Sequence, residues 1–176
     1  YLGCGQRDVA TSIANVKETI APFLPLLAKN DGSVVLDDYV KAWQPKPASE
    51  IRTKHYDMVG FVSACVDKYL DLSGRDRGSL NKVSTPSLDD HSFTEDDLKE
   101  RGTLSPVAAS IVMNILYCAR VKRFDILYPT CTLASEVTRW TRASDKKLHR
   151  LVSYMNSTQG HVMESFVGDR QKTSLF

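Results

Sequence analysis

The chain has 176 residues, 42% hydrophobic and 25% charged. That is ordinary for a globular protein and enough for one domain, or two very small ones, with a core of useful size. No apolar run approaches the ~18 residues that a membrane-spanning helix needs. The start, Tyr1-Leu2-Gly3-Cys4-Gly5, has neither the basic nor the apolar part of a signal peptide and no Met, so a piece cut from a longer chain is expected. The net charge of +2 averages two blocks of opposite sign. Asp89, Asp90, Glu95, Asp96, Asp97 and Glu100 form one, and Arg120, Lys122, Arg123, Arg139, Arg142, Lys146, Lys147 and Arg150 the other. Such a basic block admits a phosphate-rich partner, and it equally suits a solvated helix face.

In chain order, the first fifty residues read as irregular. Pro22 and Pro25 break any long helix. Asn30-Asp31-Gly32-Ser33 is a turn signal before a short strand candidate at Val34-Val35-Leu36, and Gln44-Pro45-Lys46-Pro47 is a loop. Asp57 is then an N-cap for a helix with Met58, Phe61, Val62, Cys65, Tyr69 and Leu72 at helical spacing, ended by Gly74. Residues 73–90 read as an exposed linker. Thr94 with Asp97 resembles a capping box over a short acidic helix. Ser105-Pro106 signals the start of a helix to about Val121 that is apolar almost all round and is therefore expected to be the buried central element. Asp125 is read as the cap of the next helix, with Pro129 in its first turn and a stripe of Ile126, Leu133, Val137 and Trp140. Ser144 is read as the cap of the last one. Its residues Leu148, Leu151, Val152 and Met155 face inward, and Lys146, His149, Arg150 and Ser153 lie opposite. A strand is expected at Val162 to Val167. The fold class is therefore α+β, predominantly helical.

No motif supplies a catalytic centre. Cys4, Cys65, Cys118 and Cys131 contain no CxxC pair, Cys65 and Cys118 fall in apolar segments, and His55, His91, His149 and His161 make no metal-ligand spacing with them. A reducing compartment without disulfides is expected. Leu36-Asp37-Asp38 lacks the aromatic residue and the partner carboxylate strand of a two-metal polymerase turn, so Asp37 or Asp38 is read as capping a local turn. Ser73-Gly74-Arg75-Asp76-Arg77-Gly78 lacks the Lys-Ser/Thr of a phosphate loop.

One set of motifs runs from Ser105 to Thr158: Ile115-Leu116-Tyr117, Lys122-Arg123-Phe124-Asp125-Ile126-Leu127, Leu133-Ala134, Val137-Thr138-Arg139-Trp140, Asp145-Lys146-Lys147-Leu148-His149-Arg150-Leu151 and Tyr154-Met155-Asn156-Ser157-Thr158. Together with Lys82-Val83-Ser84-Thr85-Pro86, the helix at 56–72 and Tyr1-Leu2-Gly3-Cys4, this resembles the Pol polyprotein of copia-type retrotransposons, between the reverse transcriptase palm and RNase H. The resemblance implies the end of the palm plus an irregular insertion at 1–55, a thumb-like helix and linker at 56–90, a three-helix connection at 91–160, and a strand leading to RNase H at 161–176. It implies a non-catalytic segment that grips the template–primer duplex through phosphates. The partners would be an RNA–DNA hybrid or DNA duplex and the flanking polymerase and RNase H domains, with no membrane and no small-molecule substrate. No cofactor is expected in the segment, whereas the parent enzyme would use Mg²⁺. The family's setting is a cytoplasmic particle and then the nucleus. Asp169 corresponds to a non-catalytic position before the first RNase H strand. The expected phosphate contacts are Lys146, Lys147, Arg150, Arg139 and Arg142, then Lys122 and Arg123. Reversing the charge of Lys146, Lys147 and Arg150 together is expected to remove most of the binding without unfolding the helix. Trp140 is read as core, with base or sugar stacking as its other role, and Tyr117 and Tyr154 as core aromatics. The alternative is a free-standing helical module that binds nucleic acid or protein.

Overall fold

The computed structural model describes residues 4–11 and 51–167. The turn at 30–33, the strand candidate at 34–36, Asp37, Asp38, the loop at 44–47 and Asp169 lie outside them. The chain divides into two compact units, one of Tyr1–Gly5 and Tyr56–Met163, the other of Gln6–His55 and Glu164–Phe176. The second carries most of a three-stranded antiparallel sheet of β1 (Gly5–Thr11), β2 (Ile51–Asp57) and β3 (Met163–Val167), with β2 in the middle. His55 Nε2 lies 3.5 Å from Glu164 Oε1.

The first unit holds the five α-helices of the described residues: α1 (Val59–Ser73), α2 (Glu95–Lys99), α3 (Ala108–Val121), α4 (Leu127–Glu136) and α5 (Arg142–Ser157). Three of them bury the same pattern, i, i+3, i+4 and i+7. These are Val62, Cys65, Val66 and Tyr69 on α1, Ala108, Ile111, Val112 and Ile115 on α3, and Leu148, Leu151, Val152 and Met155 on α5. That spacing puts four side chains on one stripe. Burying each large aliphatic side chain contributes about 1.5–3 kcal/mol. The stripes merge into one core with Met58, Ile126, Leu133 and Trp140. The central helix α3 packs on α1 and α4. It is not buried all round, as its composition suggested: Met113 is 57% exposed among the described residues.

The caps differ from expectation in instructive ways. Met58, not Asp57, is the N-cap of α1, although Asp57 at the end of β2 accepts the Val59 N–H at 2.9 Å. Gly74 does end α1 at φ 63°, and Thr94 and Asp97 do form a capping box. Ser105 does not cap α3. A turn precedes the helix, and the Leu104 carbonyl takes the N–H groups of Val107 and Ala108 at 2.9 and 2.8 Å, so regular helix begins at Ala108. Asp125 does not cap α4 but sits in a 3₁₀ turn, Phe124–Ile126, with its carboxylate on Arg123. Thr141, not Ser144, caps α5; Ser144 is the reciprocal partner three residues on.

Residues 73–90 are largely exposed but do not hang free. Arg77 Nη1 donates to Asn156 Oδ1 at 2.9 Å, the Val83 N–H to Ser157 Oγ at 3.4 Å, and Arg150 Nε to the Thr85 carbonyl at 2.9 Å. Helix α5 thus has α1, α2 and α4 packed against it and this segment along it. That cover is why Ser153, expected on the solvent side, is buried. No helix of the described residues is long and apolar enough to cross a membrane.

Candidate nucleic-acid interface

The structure sorts the seven expected phosphate contacts into three kinds. The first kind is buried. Arg123 is 2% exposed and its guanidinium is fully engaged: Nε and Nη2 donate to Asp125, Nη1 and Nη2 to Thr158, and the group lies 5.7 Å from the Tyr154 ring centre. Lys122 is 4% exposed and its Nζ has no hydrogen-bond partner among the described residues. Burial lowers its affinity for a proton. Neither residue reaches a phosphate. Their place at the end of the apolar helix α3, where the chain turns back into the core, explains the burial.

The second kind is at the surface but already holds a carboxylate. Lys146 Nζ donates to Asp97 Oδ2 at 2.6 Å, Lys147 Nζ to Glu136 Oε1 at 2.9 Å, and Arg142 Nη1 to Glu100 Oε2. Lys147 also lies 5.4 Å from the Phe93 ring centre. These pairs exist because α2 and α4 pack on α5, so Asp97 and Glu100 of the acidic block and Glu136 of α4 each take up one cation of the basic block. A phosphate would have to displace a carboxylate at each. The triple charge reversal is therefore no clean probe of binding, because Lys146→Glu would set a second carboxylate beside buried Asp97.

The third kind carries its charge without a carboxylate among the described residues. Arg150 is half-buried, with its guanidinium on the Thr85 carbonyl and Oγ1, both at 2.9 Å. Arg139 is exposed at the end of the 3₁₀ turn Val137–Arg139.

The hydrogen bond from Lys146, and then the Thr94 N–H, pull the Asp97 carboxyl from the usual 3.8 to about 2. The sign follows from linkage. A carboxyl whose folded pKa is depressed adds stability above its unfolded pKa and loses it as pH falls through the folded one. The stability gap between the wild type and Asp97→Asn is thus expected to be full above about pH 4 and to shrink towards pH 2. Thermal melts of both proteins across that window measure it, and a gap independent of pH would refute the pairing.

His149 does not face solvent freely. Its Nδ1 lies 2.9 Å from the Tyr69 hydroxyl, whose residue is fully buried. Burial, and then the Arg75 charge, hold the imidazole below its ordinary value. Trp140 is core at 3% exposure, and its Nε1 donates to Asp145 Oδ1 at 2.6 Å. Tyr154 lies half-buried at Arg123, and Tyr117 packs on Phe61 with ring centres 5.2 Å apart.

Two groups escaped the sequence reading. Asp145 accepts from the Thr103 N–H and Oγ1 at 2.7 and 3.0 Å, from the Leu104 N–H at 3.2 Å, and from Trp140. Only its place in the first turn of α5 hinted at a role. Arg75 and Lys82 lie in the segment read as an exposed linker, and Lys82 opens the Lys82-Val83-Ser84-Thr85-Pro86 motif. All four cysteines are free thiols, and burial pushes Cys65 up to about 12 and Cys118 to about 11. Among the described residues no three His, Cys, Asp or Glu side chains are placed to hold a metal ion. No protein-family model, no curated protein and no solved structure matches the chain.

Proposed function

We propose that this chain is the thumb and connection segment of a copia-type reverse transcriptase–RNase H polyprotein, a non-catalytic part that holds the template–primer duplex by phosphate contacts. One observation carries the reading. The residues that bear the resemblance lie in separate motifs, Lys122-Arg123-Phe124-Asp125-Ile126-Leu127 and Tyr154-Met155-Asn156-Ser157-Thr158, and these motifs interlock. Arg123, Asp125, Tyr154 and Thr158 form one cluster across 35 positions of sequence. This contact supports reading the two motifs as parts of one folding unit.

Within this reading the grip is weak. Of the expected contacts, Arg139 and Arg150 carry charge that no carboxylate takes up among the described residues. Binding to a DNA duplex or RNA–DNA hybrid is expected in the micromolar range at low salt, blind to sequence. Each phosphate engaged contributes about −0.9 to the slope of log affinity against log salt. Fluorescence anisotropy with duplexes of unrelated sequence measures both. Sequence-dependent binding, or none by folded protein at low salt, overturns the grip.

Sequencing the reading frame on both sides tests the parentage. A Tyr/Phe-x-Asp-Asp turn encoded within several dozen codons upstream of Tyr1, and RNase H carboxylates encoded downstream of Phe176, are expected. A start codon just before Tyr1 and a stop just after Phe176 would replace this reading with that of a free-standing helical module.

A further inference from the structure

We infer that Arg75 and Lys82, in the segment that runs along α5, are phosphate contacts and form one duplex-binding face with Arg150. This rests on the proposed grip and names the residues that perform it. The argument begins with how cations are already used in the first unit. Lys146, Lys147, Arg142 and Arg123 each hold a carboxylate, and so do Arg77, on Asp67, and Lys99, on Glu95. A cation already paired with a carboxylate must give up that partner to take a phosphate, so it gains little there. Arg75 and Lys82 are exposed, and neither side chain has a carboxylate or hydrogen-bond partner among the described residues.

The second step is placement. The Arg75 N–H is held by the Leu70 carbonyl at 3.2 Å at the end of α1, and its charge acts on His149 of α5. Lys82 precedes Val83, whose N–H is tied to Ser157 Oγ, and Thr85 is tied to Arg150. The segment is thus fastened along α5 at Arg150, Asn156 and Ser157. Arg75 and Lys82 thus lie on the same segment that Arg150, the α5 guanidinium that holds no carboxylate, ties down through Thr85. Of the carboxylates nearby, Asp67 is taken by Arg77, while Asp76 accepts only the uncharged Gly78 N–H and keeps its charge. Asp71 is exposed at the end of α1. Fixed cations on a backbone-anchored segment suit the sugar–phosphate rail of a duplex, which is gripped by position and charge and not by base edges.

The test is the salt dependence of binding of a 20-base-pair DNA duplex to the full chain, as wild type, Arg75→Gln/Lys82→Gln, Arg139→Gln and Lys99→Gln, with circular dichroism melts confirming that each is folded. Removing one phosphate contact lowers the slope of log affinity against log salt by about one. Arg75→Gln/Lys82→Gln is expected to lower it by about two, while Lys99→Gln leaves it unchanged. If the double variant keeps the wild-type slope while Arg139→Gln lowers it, the inference falls and the proposed grip stands. If the folded wild type binds no duplex at low salt, the grip falls and the inference with it.

Discussion

Arg123→Ala is expected to cost the folded chain about 1.5–3 kcal/mol, the range for hydrogen bonds to a charged group, because the arginine is buried but the Asp125 carboxylate it leaves behind is 35% exposed and can turn to water. That is a large share of the 5–15 kcal/mol that holds a typical domain together. Arg123 is 2% exposed, and its Nε donates to Asp125 Oδ1 at 2.9 Å, its Nη2 to Asp125 Oδ2 and Thr158 Oγ1 at 2.7 Å each, and its Nη1 to the Thr158 carbonyl at 3.1 Å. The planar fork therefore fastens the 3₁₀ turn before α4 to the end of α5. Burial alone would raise the Asp125 carboxyl, but the guanidinium outweighs it and holds the group below its ordinary value. Removing the cation leaves that half-exposed carboxylate to water and frees the Thr158 carbonyl. Arg123→Lys is expected to recover little, since an ammonium on a flexible stem cannot present the fork to both partners. Urea titration checks this, with a lower midpoint at unchanged slope as the expected outcome. A loss below about 1 kcal/mol would show that the cluster is incidental to stability.

That Arg123 was expected to grip phosphate shows where the sequence stops being legible. The apolar stripes of α1, α3 and α5 were plain, because burial at i, i+3, i+4 and i+7 is written in neighbouring residues. Gly74 and the Thr94–Asp97 box were plain for the same reason. The fate of a charge is different. Lys146 meets Asp97 across 49 positions and Arg142 meets Glu100 across 42, pairs that exist only once α2 packs on α5. A signal was present nevertheless. An acidic block at 89–100 followed by a basic block at 120–150, in a chain of net charge +2, describes two surfaces that can neutralise each other. The caps failed more locally. Where Ser and Thr stand three residues apart, as at Thr141 and Ser144, either can open the helix, and the choice falls to the partner that the flanking chain brings within reach. At Ser105 the preceding turn, held by Asp145, delays the helix.

Asp145→Ala is expected to cost about 2–4 kcal/mol, because one carboxylate serves four donors and a buried donor left alone costs about 1–3 kcal/mol. The donors are the Thr103 N–H and Oγ1, the Leu104 N–H and Trp140 Nε1. With the Gly102 N–H on the Trp140 carbonyl at 3.2 Å and the Arg142 N–H on the Glu100 carbonyl at 2.9 Å, they bind the strand-like passage before α3 to the start of α5. Gly102 is part of the same lock. A Cβ there would lie 2.5 Å from the Thr141 carbonyl oxygen, 2.7 Å from Trp140 Cδ1 and 2.8 Å from Asp145 Oδ1, closer than real contacts allow, so Gly102→Ala must push the passage off α5. Overpacking of this kind costs about 1–3 kcal/mol. The two changes break one set of contacts, so their costs should overlap: Gly102→Ala/Asp145→Ala is expected to fall short of the sum by about 1 kcal/mol or more. Asp145→Asn should lie between wild type and Asp145→Ala, since one oxygen can still serve Trp140 and Leu104 while the amide faces the Thr103 donors. Denaturation followed by Trp140 fluorescence, in a Trp43→Phe background, measures the cycle. Strict additivity would mean that Gly102 and Asp145 act separately, and that the join between the passage and α5 rests on the backbone bonds alone.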